Sequence, residues 1–329
     1  MKVGFFSVKP YDIDQFDRIN QTFGLQIEYF DYRLCMQTVR LAYGFEVICA
    51  FVNDSLSEEV LIELSENGTK VIAMRCAGFN NVDLAAAKKL NLKVVNVPSY
   101  SPESVAEHTV ALMLTLNRKI HKAYQRTRDA NFSLTGLVGF NMQNRSVGII
   151  GTGRIGLATI KVLRGFGCHV FAHDPYPNQA VLDLGVEYVS LEEIFATCDI
   201  ISLHCPLTSE NHHLLNKESF SRMKQGVMVI NTSRGGLLNA FDATEALKTG
   251  QLGSLGLDVY ENEMELFFED KSNEIIQDDV FRRLSSCHNV IFTGHQAFLT
   301  EEALSAIAFT TLTNITQIGD ADHCPNELT

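Results

Sequence analysis

Four polar residues stand just past the ends of short apolar runs in the last third of the chain. Val227–Asn231 runs out into Thr232, Ser233 and Arg234. Gly253–Leu257 ends at Asp258, with Glu263 shortly after, and Asn289–Thr293 is followed by Gly294 and His295. Arginine offers a planar donor fork that matches a carboxylate, with bonds stronger than neutral ones. A carboxylate hydrogen-bonded to an imidazole fixes its tautomer and favours its charged form. Such a histidine can give a proton to a carbonyl oxygen as hydride reaches the carbon, and take it back in reverse. General acid–base help of this kind is worth roughly 10² to 10⁴ in rate. Each residue also has a plainer reading. Arg234 after a strand is as well suited to a structural ion pair, and Glu263 lies in the acidic stretch "ENEMELFFED", where a solvated loop is the default. His204, His212 and His213 with Cys205 lack a metal-ligand spacing, and His173 reads as packing. Periodicity alone does not choose among these.

A second set of residues points to a dinucleotide. Gly151-Thr152-Gly153-Arg154-Ile155-Gly156 is a G-x-G-x-x-G match that directly follows the strand-like Ser146–Ile150 and opens a helical pattern to about Phe166. Glycines there allow a tight turn and close backbone approach, so that the helix N-terminus faces a pyrophosphate. The next run, His169–His173, ends in Asp174, where a carboxylate accepts from ribose hydroxyls and repels a 2′-phosphate, favouring NAD over NADP. The bland reading is a glycine-rich turn without ligand. An open α/β sheet presents ligands at its carboxyl edge, so Cys205, Pro206 and Asn211 after one run, Thr232 and Ser233 after another, and Asp258 are expected beside the same cofactor.

The elements that must carry these residues alternate almost from end to end. Val3–Phe6, Gln26–Phe30, Glu46–Phe51, Lys70–Met74 and Lys93–Val97 read as strands, with helix candidates such as Ser57–Asn67 and Val82–Leu90 between them. That alternation argues for parallel, doubly wound sheets with helices on both faces. The first block closes near Val97-Pro98. A helical pattern then runs from Pro102 to about Arg128, its middle apolar nearly all round and suited to a subunit or domain interface. A loop through Gly136 and Gly139 leads to a second alternating block reaching Thr293. The last helix, from Glu301 to about Ile315, is expected to return to one of the two blocks.

Length and charge bound the rest. A chain of 329 residues accommodates two domains with separate cores. The net charge of −12 argues against nucleic acid and anionic membrane as general partners. It leaves room for a small anionic substrate held by a local arginine. The eight cysteines are scattered without a Cys-x-x-Cys pair, as suits reduced thiols in a cytoplasmic protein. The opening residues, broken by Lys9-Pro10-Tyr11-Asp12, do not read as a secretory signal, and the longest apolar run, Thr109–Leu116, is far short of the roughly 20 residues that span a bilayer.

The chain resembles the D-isomer-specific 2-hydroxyacid dehydrogenases over nearly its whole length, most of all their bacterial D-lactate branch. The motifs are "RCAGFNNVD" (75–83), "VAEH" (105–108), "GTGRIG" (151–156), "SLHCPLT" (202–208), "NTSRGGLLN" (231–239), "GLDVYENE" (256–263) and "TGHQAFLT" (293–300), with "FFEDKS" (267–272) and "QDDVF" (277–281) pointing to the lactate branch. The resemblance implies NADH-dependent, reversible reduction of pyruvate to D-lactate, with Arg234, Glu263 and His295 catalytic. It implies substrate contacts from Ala77, Gly78, Tyr100, Arg234 and Phe298, and an Asp258 that supports the histidine beside the nicotinamide. It also implies a Rossmann NAD-binding domain over 101–297 and a discontinuous, flavodoxin-like substrate domain over 1–100 and 298–329. A homodimer or homotetramer, a small 2-keto or 2-hydroxy acid as substrate, and no metal complete the expectation. One departure is the Gly235-Gly236 pair after Arg234, where many relatives carry a bulkier second residue. Alternatives in the same family are a reductase of larger 2-keto acids and formate or phosphoglycerate dehydrogenases, the formate enzyme disfavoured by Glu263. From another class, an NAD-sensing regulatory protein shares the fold.

Overall fold

The computed structural model describes residues 1–321 and 324–329. The chain divides into two compact units, Met1–Ser101 with Leu299–Thr329, and Pro102–Phe298.

In the first unit, β1 (Lys2–Phe5), β2 (Gln26–Tyr29), β3 (Val47–Ala50), β4 (Val71–Met74) and β5 (Lys93–Val95) form a parallel sheet in the order β2-β1-β3-β4-β5. β3 and β4 are buried at every position. Their uninterrupted apolar runs are what a parallel strand covered on both faces requires. Phe6, Leu34, Ile48, Leu61, Ile72 and Met74 belong to the core on one side. The final helix, Glu301–Ala321, packs against helix Pro10–Phe23 and β4. The tail then returns to the sheet: Leu328 N donates to Val94 O at 2.8 Å, and Asn314 Nδ2 holds Asn96 O at 2.8 Å.

The second unit holds a seven-stranded parallel sheet, ordered β12-β11-β10-β9-β6-β7-β8. Its strands are β6 (Ser146–Ile150), β7 (His169–His173), β8 (Glu187–Tyr188), β9 (Ile200–Leu203), β10 (Val227–Asn231), β11 (Leu252–Leu257) and β12 (Val290–Phe292). Strand order reverses between β6 and β9, the kind of crevice where doubly wound sheets take ligands. Apolar clusters cover both faces, one around Ile201, Val229 and Leu255 and the other around Val147, Ile149 and Met228.

The long helix expected to reach about Arg128 is instead two, Pro102–Arg118 and Ile120–Arg128. Lys119 sits between them in the left-handed region, with φ +52. Tertiary contacts override the continuous helical propensity. The Asn117 side chain donates to Phe140 O and accepts from Phe140 N, both at 2.8 Å. Gly139 lies so close that a Cβ there would be 2.6 Å from Asn117 O. The later chain therefore takes the place of the next helical turn. Ahead of the break, the helix buries Val105, Thr109, Leu112, Met113 and Leu116, and packs on the helix after β6 and on β10 and β11. Among the described residues, no helix is long and apolar enough to cross a membrane.

Candidate active site

The carboxyl ends of β10, β11 and β12 lie side by side, which brings Arg234, Asp258 and His295 to one edge of one sheet. His295 Nδ1 meets Glu263 Oε1 at 2.9 Å. The other Glu263 oxygen accepts from Tyr260 N at 3.0 Å, so the carboxylate is held at both ends. Glu263 opens a short helical turn, Glu263–Glu265, and is not the freely solvated loop residue its acidic surroundings suggest. The neighbouring acid does different work: Glu261 pairs with His213 at 2.9 Å and accepts from Ala240 N. With Nδ1 donating to a carboxylate, His295 has Nε2 left to exchange a proton.

His295 is one of the few non-glycine residues with positive φ, at +54. A β-carbon is disfavoured there, by about 1–3 kcal/mol, and Asp258 supplies the compensation. His295 N donates to Asp258 O at 2.8 Å. The Asp258 carboxylate accepts from Gln296 N and Ala297 N, both at 2.9 Å, and from Thr293 Oγ1 at 2.6 Å. Asp258 is fully buried. Burial alone pushes its carboxyl up, but His108, Thr293, the Ala297 amide and the charge of His295 together hold it below the usual carboxylate range.

His108 and Thr293 were not singled out as site residues from the sequence. His108 comes from the first half of helix Pro102–Arg118, and its Nε2 lies 3.0 Å from Thr293 Oγ1 and 3.5 Å from Asp258 Oδ1. The available signal was the "VAEH" motif: a histidine directly before the buried Thr109, on a helix that packs against this sheet. Phe268, also missed, places its ring 5.7 Å from that of His295. Asn231 is the third omission. Fully buried at the end of β10, it accepts from Ser233 N at 3.0 Å and donates to Arg234 O at 2.9 Å, setting the turn that presents the arginine.

The Arg234 guanidinium donates to Ser233 O at 2.7 Å and enters no ion pair among the described residues. The structural ion pair is thus not made. Gly235 explains part of the turn's rigidity, because a Cβ on it would be 2.0 Å from the Tyr260 carbonyl carbon and 2.3 Å from Glu261 N. At Gly236 the nearest atom is the tip of Leu207, at 2.9 Å. The glycine pair therefore marks a rigid first position and a yielding second one.

The glycine turn after β6 fits a dinucleotide. Gly151 has φ +97, and a Cβ on it would come within 2.4 Å of Cys205 N. One on Gly156 would come within 2.1 Å of Gly151 O. Gly153, at the start of helix Arg154–Gly165, has nothing within 4 Å on its Cβ side, leaving that approach open. Arg154 and Ile155 form the first turn, and the N-terminus of a helix favours an anion. Asp174 ends β7 and accepts from Thr152 N at 2.7 Å, from Thr152 Oγ1 at 3.1 Å and from Tyr176 N at 2.9 Å. It is half-buried and joined to the turn it was expected to complement.

The remaining expected cofactor contacts bond neighbouring groups of the protein. Ser233 Oγ donates to Cys205 O at 2.6 Å, Asn211 Nδ2 donates to Pro206 O at 2.7 Å, and Thr232 Oγ1 bonds Thr109 Oγ1 at 2.8 Å. Burial pushes the Cys205 thiol up to about 11.

In the first unit, the turn after β4 carries Ala77 and Gly78, with Ala77 O accepting from Asn96 Nδ2 at 2.9 Å and Gly78 O from Cys76 Sγ at 3.2 Å. Arg75 anchors that turn from below. Fully buried, it donates to Ser7 O at 2.8 Å, lies 3.6 Å from Asp12 and stacks on Phe51. Tyr100 is half-buried near the end of this unit, and Phe298 is buried at the end of the other. No cluster of three or more histidine, cysteine or acidic side chains able to hold a metal occurs among the described residues.

Comparison with known proteins adds three findings. Residues 110–297 match the family described as D-isomer specific 2-hydroxyacid dehydrogenase, NAD binding domain. The chain is 60% identical over 328 residues to the D-lactate dehydrogenase of Escherichia coli (strain K12), covering 100% of both proteins. It is also similar to the solved structure of Salmonella D-lactate dehydrogenase, at 60% identity, TM-score 0.88 and full coverage of both chains.

Proposed function

Since the chain belongs to the D-isomer specific 2-hydroxyacid dehydrogenase family, we propose that it reduces pyruvate to D-lactate with NADH, reversibly. The observation that carries this reading is the His295–Glu263 pair at 2.9 Å on the same sheet edge as an arginine outside any described ion pair. When bound, the nicotinamide cofactor supplies the hydride that the substrate's carbonyl carbon accepts. Arg234 holds the substrate carboxylate through its donor fork. His295 Nε2 gives its proton to the carbonyl oxygen and recovers one from solvent, while Glu263 fixes the ring through Nδ1 and offsets its charge. Asp258 holds the backbone of residues 295–297 in place. Gly151, Gly153, Gly156 and the amides of Arg154 and Ile155 hold the pyrophosphate, and Asp174 the adenosine ribose. Cys205, Pro206, Asn211, Thr232 and Ser233 border the nicotinamide side.

The first unit is assigned substrate recognition, through Ala77, Gly78 and Tyr100, and Phe298 is assigned to the pocket wall. A homodimer or homotetramer is supported by the segment after Arg118, where Ile120, Tyr124, Phe132, Leu134 and Val138 are all exposed. The buried free thiols of Cys49, Cys198 and Cys324 support a reducing, cytoplasmic setting. The test is NADH oxidation across a panel of 2-keto acids, with chiral analysis of the product. Pyruvate as best substrate and D-lactate as product are expected. A branched-chain acid as best substrate would reassign the pocket, and no turnover on any acid would replace the enzyme with an NAD-binding regulator.

A further inference from the structure

A cavity of about 440 Å³ opens at the end of the seven-stranded sheet opposite the site just described. It is bordered by residues that precede or begin five neighbouring strands: Arg145 before β6, Asp199 before β9, Lys224 before β10, Gly253 in β11 and His288 before β12. The strands are parallel, so their amino ends gather here while Gly151, Asp258 and His295 lie beyond their carboxyl ends. A five-residue strand separates the two edges by about 16 Å. Dinucleotide and substrate chemistry at the carboxyl edge therefore lies away from this cavity, whose lining includes Val138 of the exposed segment read above as a subunit interface.

Its electrostatics run against those of the chain. The protein carries a net −12, yet Lys119, Lys122, Arg145 and Lys224 line this one cavity, with His121 and His288 beside them. Asp199 is the one carboxylate among the described lining residues, and it is already paired with Lys224 at 3.1 Å. Lys119, Lys122 and Arg145 join no ion pair among the described residues. Burial, then the nearby charges of Lys119 and Arg126, holds Lys122 below the usual lysine range. His121 is likewise held down by burial and by Lys122, and its Nδ1 is buried without a hydrogen-bond partner. Asp199 answers Lys224 and part of Arg145, which also stacks on Phe140, and Lys119 donates to Val138 O; the charge of Lys122 is the one that its cationic neighbours leave opposed.

We propose that this cavity binds a small multivalent anion, one bearing two or more carboxylate or phosphate groups. Like-charged groups held together around a concave surface concentrate the field, so a ligand with several negative groups gains most from entering. The cavity volume lies near the lower end of the range for small-molecule sites. The negative field of the whole protein disfavours a polymeric anion.

Titration calorimetry on the intact protein at fixed ionic strength tests this, with inorganic pyrophosphate and citrate as probes and chloride as the monovalent control. Saturable binding of at least one probe is expected, with affinity reduced by roughly tenfold or more in Lys122→Gln and in Arg145→Gln and melting temperatures close to wild type. Saturating NADH is expected to leave that affinity unchanged. Binding of citrate alone identifies a polycarboxylate site, and binding of pyrophosphate alone a phosphate-ester site. The proposal is overturned if neither probe binds, if NADH abolishes the binding, or if both variants bind as wild type. It is also overturned if no probe binds and the variants instead change the sedimentation mass, since the cations would then serve a second copy of the chain.

Discussion

Asp258 holds His295 by the main chain. Its carbonyl takes the His295 N–H at 2.8 Å, and its carboxylate takes the next two amides, Gln296 and Ala297, each at 2.9 Å. The imidazole thus projects from a left-handed residue whose loop is wound around one buried acid. Glu263 then fixes the ring. Two acids divide the task, one acting on backbone and one on side chain.

Replacing Asp258 by asparagine puts an amide group where two oxygens now accept. It is expected to cost about 1–3 kcal/mol, read as a drop in melting temperature. The sign of its pH dependence follows from the depressed carboxyl. A folded-state value below the unfolded one, near 3.9, means that the carboxylate adds stability at pH above the unfolded value. That contribution is lost as pH falls through the folded value. The gap in melting temperature between wild type and Asp258→Asn should be steady from about pH 5 to 8 and narrow below about pH 4. A gap that widens in acid contradicts the depressed carboxyl.

His295→Gln removes the proton carrier, and turnover of pyruvate should fall by roughly 10² to 10⁴, with NADH affinity within a few-fold of wild type. Glu263→Gln keeps the ring's neighbour but removes its charge, so a smaller loss, roughly 10- to 100-fold, is expected. Steady-state kinetics alongside fluorescence titration of NADH separates the two effects. Turnover within threefold of wild type in His295→Gln would end the assignment.

Gly235→Ala and Gly236→Ala form a matched pair. The first places a methyl group into the Tyr260–Glu261 backbone and must displace the segment that carries Glu263. A shift of about 1 Å in a catalytic group can cost about 100-fold, so a loss of that order is expected in turnover. The second meets only the flexible end of Leu207 and should stay within a few-fold of wild type. Equal effects would show that the turn is not braced where the contacts place it.

His108→Phe removes the contacts to Thr293 and Asp258. Roughly tenfold lower kcat/KM is expected, together with a lower melting temperature. His108→Gln, which retains a polar nitrogen near Nε2, should recover part of both. If activity recovers in neither and stability is unchanged in both, His108 does not act through Asp258.

Asp174→Ser tests cofactor choice. Loss of the carboxylate should weaken NADH binding about tenfold and narrow the preference for NADH over NADPH. Titration of both cofactors reads this directly.

Strand positions, the glycine turn and the residues beyond each strand end were legible because they rest on local rules: alternation of element types, backbone freedom at glycine and the carboxyl-edge rule for open sheets. The break at Lys119 was not legible, since the segment to Arg128 is locally helical and only Gly139 and Phe140, from later in the chain, displace the next turn. Glu263 was ambiguous for the same reason. Its pattern is that of a solvated acid, and its use depends on Tyr260 N and on a histidine 32 residues away. His108 carried no local cue to a partner 150 residues further on.

The sequence by itself determined which residue types stand at the carboxyl ends of parallel strands, because hydrophobic runs and glycine positions specify where each strand begins and stops. Only the tertiary structure decided which of those residues touch. Strand order sets β10, β11 and β12 side by side, and the turns beyond them choose Glu263 over Glu261 as the partner of His295. It also decided that Arg234 stays out of any described ion pair and that His108 reaches Asp258. Hydrogen bonds act over about 3 Å, and sequence separation does not measure that distance.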